Sequence, residues 1–237
     1  MAKLILLRHG QSLYNKKNIF TGWSDVELSP EGKKEAKRAG KLLKKSAILP
    51  DICFTSWLKR AIHTADIVLK ELDWEQIDSI KSWKLNERHY GAWQKQDKDK
   101  IRKEVGEKAF LAVRRGFDTP PPPLKKGDIR LPQNEKKYQS LDIKSLPKSE
   151  SLKDTKKRVV NYFYEKIAPY LCEDKTVLIS AHGNSLRALV MELEGISKKD
   201  MVKLEIPTGE LIVYEFDETL KIKDKTVLKV KNGTQKA

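Results

Sequence analysis

The chain has 237 residues, 39% of them hydrophobic and 34% charged, and Lys plus Arg exceed Asp plus Glu by 15. That length suits one large domain, or one domain carrying an insertion, with a core that needs no disulfide or metal staples. No apolar run approaches the ~18 residues of a membrane helix. Leu4–Leu7 is too short for a signal peptide. Cys53 and Cys172 stand apart and form no CxxC, which argues against a zinc site or a disulfide framework and makes a reducing cytoplasm the default.

The basic excess has three readings: nucleic-acid binding, an anionic substrate, or a lysine-rich solvated surface. Much of it is lysine dispersed over a helix face, as at Lys33, Lys34, Lys37, Lys41, Lys44 and Lys45. Dispersal favours the solvated surface. No RNP motif, zinc-finger spacing or leucine heptad supports nucleic acid.

In chain order, Lys3–Leu7 is a continuous apolar run that predicts a strand buried on both faces, as in parallel sheets. Ser29-Pro30-Glu31 opens a helix whose buried face carries Ala36, Ala39, Gly40 and Leu43. Asp51–Thr55 reads as a second strand and Trp57–Leu72 as a helix, with a weaker strand at Gln76–Ile80. Residues 97–115 are helical and highly charged. Residues 118–150 hold four consecutive prolines, Pro120–Pro123, which deny helix and central strand alike. The segment 88–150 is therefore an insertion of loop and short helices. The α/β pattern resumes with a helix over 152–171, on which Cys172 reads as a helix-end core residue. A strand at Thr176–Ser180 and a helix over 184–194 stopped by Gly195 follow. Late strands are expected at Leu211–Phe216 and Thr226–Val230, then a polar, mobile tail at 231–237.

Three polar clusters follow three of these strands: Arg8-His9-Gly10, Thr55-Ser56 leading to Arg60, and His182-Gly183-Asn184. Ligand sites of open parallel sheets lie beyond the carboxyl ends of the strands, so the clusters should share one edge. Arginine forks match phosphate geometry, and a helix beginning near Asn184 would aim N–H groups at an anion. Either histidine alone would read as a satisfied core residue. A metal on His9 and His182 would lack a carboxylate and face repulsion from the arginines, so none is expected.

These residues resemble a family. Arg8-His9-Gly10-Gln11-Ser12 with Asn15 is similar to the RHG signature of the histidine phosphatase superfamily. Phe20-Thr21-Gly22-Trp23, Leu58-Lys59-Arg60-Ala61, the stretch Trp83–Gly91, Arg114-Arg115, Ala181–Arg187 and Ile206-Pro207-Thr208-Gly209 follow in order. Together they resemble the cofactor-dependent phosphoglycerate mutases over nearly the whole chain. Two departures stand out: Lys95-Gln96-Asp97-Lys98 replaces a common Gly-Leu-Asn-Lys, and Tyr14 replaces a common Trp.

The resemblance implies interconversion of 3-phosphoglycerate and 2-phosphoglycerate, primed by 2,3-bisphosphoglycerate and needing no metal. It implies that His9 carries the phosphoryl group and Glu87 acts as acid and base. Arg8, Arg60, His182, Asn15, Gly183 and Asn184 would form the phosphoryl clamp. Thr21, Gly22, Tyr90, Lys98, Arg114 and Arg115 would contact substrate. Ser12, Arg88 and His89 join the substrate-binding candidates by motif, with a structural role as the alternative for His89. The chemistry agrees: a neutral imidazole is a nucleophile near pH 7, and fixed cations stabilise charge on the transferring group.

The expected fold is a three-layer α/β/α sandwich with a mostly parallel sheet, in a single domain over 1–237 whose insertion forms a lid. Expected partners are small phosphoglycerates, with neither nucleic acid nor membrane, and homo-oligomerisation is left open. A phosphatase or bisphosphoglycerate synthase is the rival within the superfamily. A basic nucleic-acid-binding protein is the rival outside it.

Overall fold

A computed structural model describes residues 1–229 of the chain. Val230, expected to end the last strand, and the polar tail 231–237 lie outside the described residues.

Six strands form one sheet: β1 (Lys3–Arg8), β2 (Ile52–Thr55), β3 (Ser79–Lys81), β4 (Thr176–Ala181), β5 (Leu211–Phe216) and β6 (Ile222–Leu228). Their spatial order is β3-β2-β4-β1-β5-β6. The first four are mutually parallel, and β5 and β6 run antiparallel at one side. The apolar run of β1 explains its central place, because alternate residues serve opposite faces. Leu4 and Leu6 join Phe54, Val177 and Ile179 on one face. Ile5 and Leu7 join Cys53 and Leu178 on the other.

Helices cover both faces. In chain order they are α1 (Leu13–Lys16), α2 (Pro30–Lys45), α3 (Lys59–Glu71), α4 (Lys98–Val105), α5 (Glu107–Arg114), α6 (Leu152–Tyr162), α7 (Ala168–Cys172) and α8 (Gly183–Leu193). Ala39 and Leu43 of α2 pack with Ala65, Val68 and Leu69 of α3 beneath one face. Val159 of α6 and Leu186, Leu189 and Val190 of α8 cover the other. The sandwich expected from the strand and helix alternation is the observed architecture.

Several boundaries differ from the sequence reading. The weak strand moves to Ser79–Lys81 and all three of its residues are exposed, so no apolar signal marked it. The 97–115 helix is two helices, because Gly106 at φ 80° turns the chain through a region that side chains avoid. The 152–171 helix is interrupted by a wider turn over Phe163–Ile167, just before Pro169. Beyond it Ala168 and Leu171 face the core, and Cys172, one residue (about 100°) further round the helix, is exposed rather than buried.

The insertion is ordered by its own apolar clusters. Phe20 meets Trp93, Ile101, Phe110 and Val113. Trp23 meets Trp83, Tyr138 and Leu146. The proline run is used as acceptor: Ala92 N–H donates to Pro122 O at 2.8 Å, and Ser149 Oγ to Pro121 O at 2.5 Å. Both clusters borrow an aromatic from the loop after β1, and this holds the insertion beside the strand ends.

Candidate active site

β1, β2 and β4 are adjacent and parallel, so their carboxyl ends meet at one edge, beside a cleft of about 310 Å³. His9 is the first residue after β1, and its N–H donates to Ala181 O at the end of β4 at 2.9 Å. A Cβ at the following residue, Gly10, would lie 2.2 Å from Gly32 O. Only glycine therefore lets this turn pack against the start of α2. The His9 ring is almost wholly buried. Its Nδ1 donates to Gly10 O at 2.7 Å, which leaves Nε2 without a proton. Nε2 lies 3.2 Å from Arg60 Nε. Burial, then Arg60 and Arg8, hold the His9 pKa well below the usual histidine value. The ring is thus neutral at pH 7, with a nucleophilic Nε2.

Arg60 is aimed by backbone. Its Nη1 donates to Ser24 O at 2.9 Å and its Nη2 to Gly22 O at 2.8 Å. Burial lowers its pKa to about 10, so it stays charged at neutral pH. Arg8 is fixed by donation from Nη1 to Ile206 O at 2.6 Å. His182 lies behind His9, with ring centroids 4.9 Å apart. Ser56 Oγ accepts from Leu58 N–H at 3.1 Å, which frees its own proton for His182 Nε2 at 2.7 Å. His182 Nδ1 then carries the imidazole hydrogen. Burial and Arg60 push its pKa well down, so the ring remains neutral.

Among the described residues, Arg8 Nε, His182 Nδ1 and Thr21 Oγ1 are buried polar atoms here with no hydrogen-bond partner, as is Arg187 Nε at the cleft wall. An unsatisfied buried donor costs roughly 1–3 kcal/mol. Donors that converge beside a nucleophile, at the N-terminus of the eleven-residue α8, suit a tetrahedral oxyanion.

Glu87 forms another wall. Its Oε1 accepts from Arg88 N–H at 2.8 Å and Asn184 N–H at 3.0 Å. Its Oε2 makes no hydrogen bond among the described residues and faces the gap beside Gly183, where a Cβ would lie 3.4 Å from Arg8 Cζ and 3.6 Å from Oε2. A carboxylate held by one oxygen and open at the other can exchange a proton with a ligand hydroxyl.

The far wall is cationic. Lys98, Arg114 and Arg115 of the insertion line the same cleft as Arg8 and Arg60. Burial, then Arg114 and Arg8, lower the Lys98 pKa to about 8. The altered 95–98 loop still delivers this lysine, because its backbone bonds to the 18–20 segment: Lys98 N–H donates to Asn18 O at 3.0 Å and Phe20 N–H to Gln96 O at 2.9 Å. Arg115 is paired with Glu205, a carboxylate at the cleft wall. Tyr90 OH accepts from Arg88 Nη2 at 2.9 Å and Asn184 Nδ2 at 3.2 Å, so its own proton is left for a ligand. Asn15 Oδ1 is bonded to Ser12, which leaves its Nδ2 donor for the cleft it lines.

The cleft thus brings together Arg8, His9, Asn15, Thr21, Gly22, Arg60, Glu87, Tyr90, Lys98, Arg114, Arg115, Gly183 and Asn184. Four other candidates, Ser12, Arg88, His89 and His182, lie outside its wall. Ser12 is buried as the cap of α1, where its Oγ accepts from Asn15 N–H. Arg88 turns away to the end of α5, donating to Val113 O at 2.8 Å and Arg114 O at 3.1 Å. His89 is buried, its Nδ1 accepting from Gly91 N–H at 3.1 Å, which is the structural alternative rather than a substrate contact. His182 is fully buried next to His9 and does not line the cleft. The sequence reading missed Arg187, Glu205 and Ile206 as cleft residues, although Arg187 and Ile206 stood inside quoted motifs.

Among the described residues, no group of three or more His, Cys, Asp or Glu side chains could hold a metal ion, and no helix is long and apolar enough to cross a membrane. The site is a buried neutral histidine ringed by cations, with the Glu87 carboxylate facing it and Glu205 at the wall paired with Arg115. A profile for the histidine phosphatase superfamily, branch 1, matches residues 4–130 and 125–226. The chain is 54% identical to the 2,3-bisphosphoglycerate-dependent phosphoglycerate mutase of Nautilia profundicola, over 94% of this chain and 98% of that one. It is 50% identical to phosphoglycerate mutase 1 of Saccharomyces cerevisiae, over 93% of this chain and 90% of the other. A solved structure, mycobacterial hydrolase 1, shares the fold with a TM-score of 0.70 at 23% identity, covering 98% of this chain and 99% of that one. The chain belongs to the histidine phosphatase superfamily and, within it, to the family of 2,3-bisphosphoglycerate-dependent phosphoglycerate mutases.

Proposed function

We propose that this protein interconverts 3-phosphoglycerate and 2-phosphoglycerate through a phosphohistidine at His9. The observation that carries this reading is the unprotonated Nε2 of His9, set beside unpartnered donors of Arg8 and His182 and faced by Glu87.

With His9 carrying the phosphoryl group, the free hydroxyl of 3-phosphoglycerate attacks phosphorus in line, a P–O bond forming as the N–P bond breaks; His9 Nε2 then takes the phosphoryl group at the other position, the N–P bond forming as that P–O bond breaks. Arg8, Arg60 and His182 Nδ1 hold the equatorial oxygens, with the α8 N-terminus adding its dipole. Glu87 Oε2 takes the proton of the attacking hydroxyl and, in the return step, gives it to the departing oxygen. Tyr90 and Asn15 orient the ligand with their free donors. Lys98, Arg114 and Arg115 receive the carboxylate or distal phosphate.

The residues present fit 2,3-bisphosphoglycerate: the Arg8–Arg60 pair suits one phosphate and the Lys98, Arg114 and Arg115 group the other, and Arg8 Nε is a buried donor with no partner among the described residues. When bound, it supplies the phosphoryl group that primes His9. Among the described residues no cluster calls for a metal in this scheme. The reading takes 1–237 as one catalytic unit with 88–150 as its lid, acting in the cytoplasm in glycolysis and gluconeogenesis, with neither nucleic acid nor membrane as partner.

The experiment is turnover of 3-phosphoglycerate with and without catalytic 2,3-bisphosphoglycerate. The reading expects 2-phosphoglycerate formation that depends on the bisphosphate. Phosphate release without isomerisation would identify a phosphatase instead.

A further inference from the structure

We propose that Arg158 is the positioning residue for Glu87, a role that rests on the proton-transfer reading of Glu87. Arg158 lies on α6, more than seventy residues beyond Glu87 in sequence, and its side chain is 7% exposed. All five of its N–H donors are used. Nε donates to Glu150 Oε1 at 2.6 Å, and Nη2 to Glu150 Oε2 at 2.8 Å. Nη1 donates to Lys84 O at 2.7 Å and Asn86 O at 2.9 Å, and Nη2 to Glu87 O at 2.9 Å.

Three carbonyls of one short loop therefore converge on a single guanidinium. The counter-ion grips the same loop, because Glu150 Oε2 accepts His89 N–H at 2.8 Å. This segment follows a single turn over Trp83–Leu85 and has no strand partner, so its carbonyls must find donors elsewhere. The carbonyl of Glu87 itself is held twice, by Arg158 and by Trp23 Nε1 at 2.6 Å. Arg158 thus sets where the Glu87 Cα sits, while Asn184 N–H sets how its carboxylate turns. Neither Arg158 nor Glu150 lines the cleft. A group that exchanges a proton must be placed to a fraction of an ångström. A lysine cannot substitute, since an ammonium has three donors and no planar fork.

The test compares R158K with E87Q and wild type in two assays. One is steady-state turnover of 3-phosphoglycerate, in which the attacking hydroxyl must lose a proton and the departing alkoxide must gain one. The other is the pre-steady-state burst of p-nitrophenolate from p-nitrophenyl phosphate, which reports phosphorylation of His9 with a leaving group that needs none. E87Q is expected to lose turnover on 3-phosphoglycerate about a hundredfold while its burst rate changes little. R158K should show the same split, with a loss of about tenfold or more in the first assay and less than threefold in the second. E150Q, which keeps Arg158 and loosens its hold, is the second variant should R158K not fold, and should show a smaller split in the same direction. If E87Q shows the split but the Arg158 and Glu150 variants lose both activities equally, or neither, the positioning role is wrong. If E87Q itself shows no split, the proton-transfer reading of Glu87 fails, and the positioning role falls with it.

Discussion

Glu87 Oε1 accepts the N–H of Asn184 at 3.0 Å, so the carboxylate is tied to the first turn of α8. The same turn follows His182, whose ring lies 4.9 Å from that of His9. The group that would move the proton and the group that would take the phosphoryl are thus registered through one helix end. That shared anchor gives the geometry its stiffness and makes individual substitutions readable.

The buried histidines give a pH dependence with a definite sign. His9 and His182 are held well below the usual value by burial, and His89 is lowered to about 3 by the same cause. The unfolded chain takes up protons on these rings near pH 6.5, and the folded chain does so only much lower. Stability is therefore complete above about pH 6.5 and falls below it, by up to about 1.4 kcal/mol per pH unit for each ring. The urea midpoint should be lower at pH 5 than at pH 7, and H89Q should flatten the dependence. An unchanged midpoint would contradict the neutral, buried assignment.

Arg115 should separate substrate positioning from phosphoryl chemistry. R115A leaves His9, Arg8 and Arg60 intact but strips the far wall. A loss of about tenfold to a hundredfold in kcat/KM on 3-phosphoglycerate is expected, the equivalent of roughly 1.5–3 kcal/mol for a charge-assisted contact. Hydrolysis of a small phosphate ester should fall far less. Equal losses would place Arg115 in the fold or the clamp.

Glu205 pairs with Arg115 at the cleft wall, so it competes with an anionic substrate for that cation. Exposed ion pairs are worth only about 0–1 kcal/mol. E205Q should therefore lower KM for 3-phosphoglycerate about two- to fivefold with kcat unchanged, and the advantage should shrink in high salt. A raised KM would mean that Glu205 orients Arg115 rather than competing for it.

Cationic side chains supply the charge that a divalent ion would otherwise bring. Turnover should survive a chelator, and vanadate, a mimic of the trigonal-bipyramidal phosphoryl centre, should inhibit. Loss of activity restored by magnesium or manganese would overturn the metal-free scheme.

What the sequence could reveal follows from what it encodes locally. The apolar runs at Leu4–Leu7 and Val177–Ile179 imply buried parallel strands, and parallel strands bring the residues after them to one edge. His9, Ser56 and His182 were therefore legible as neighbours. The direction of a side chain was not. Arg88 sits one residue from Glu87, yet it turns to the end of α5 because Val113 O and Arg114 O need donors there. Arg158 and Glu150 carry no motif; their meaning lies in the carbonyls of Lys84, Asn86 and Glu87 and the N–H of His89, more than sixty residues away in the chain. The break at Gly106 was visible as a glycine, but the charged periodicity on either side masked it.

The most direct measurement is covalent labelling with 2,3-bisphosphoglycerate carrying radioactive phosphate. The account predicts one label per chain, labile to acid and stable to base, absent in H9A and discharged by 3-phosphoglycerate. Normal labelling of H9A, or a label that 3-phosphoglycerate does not discharge, would contradict a transferring phosphohistidine at His9.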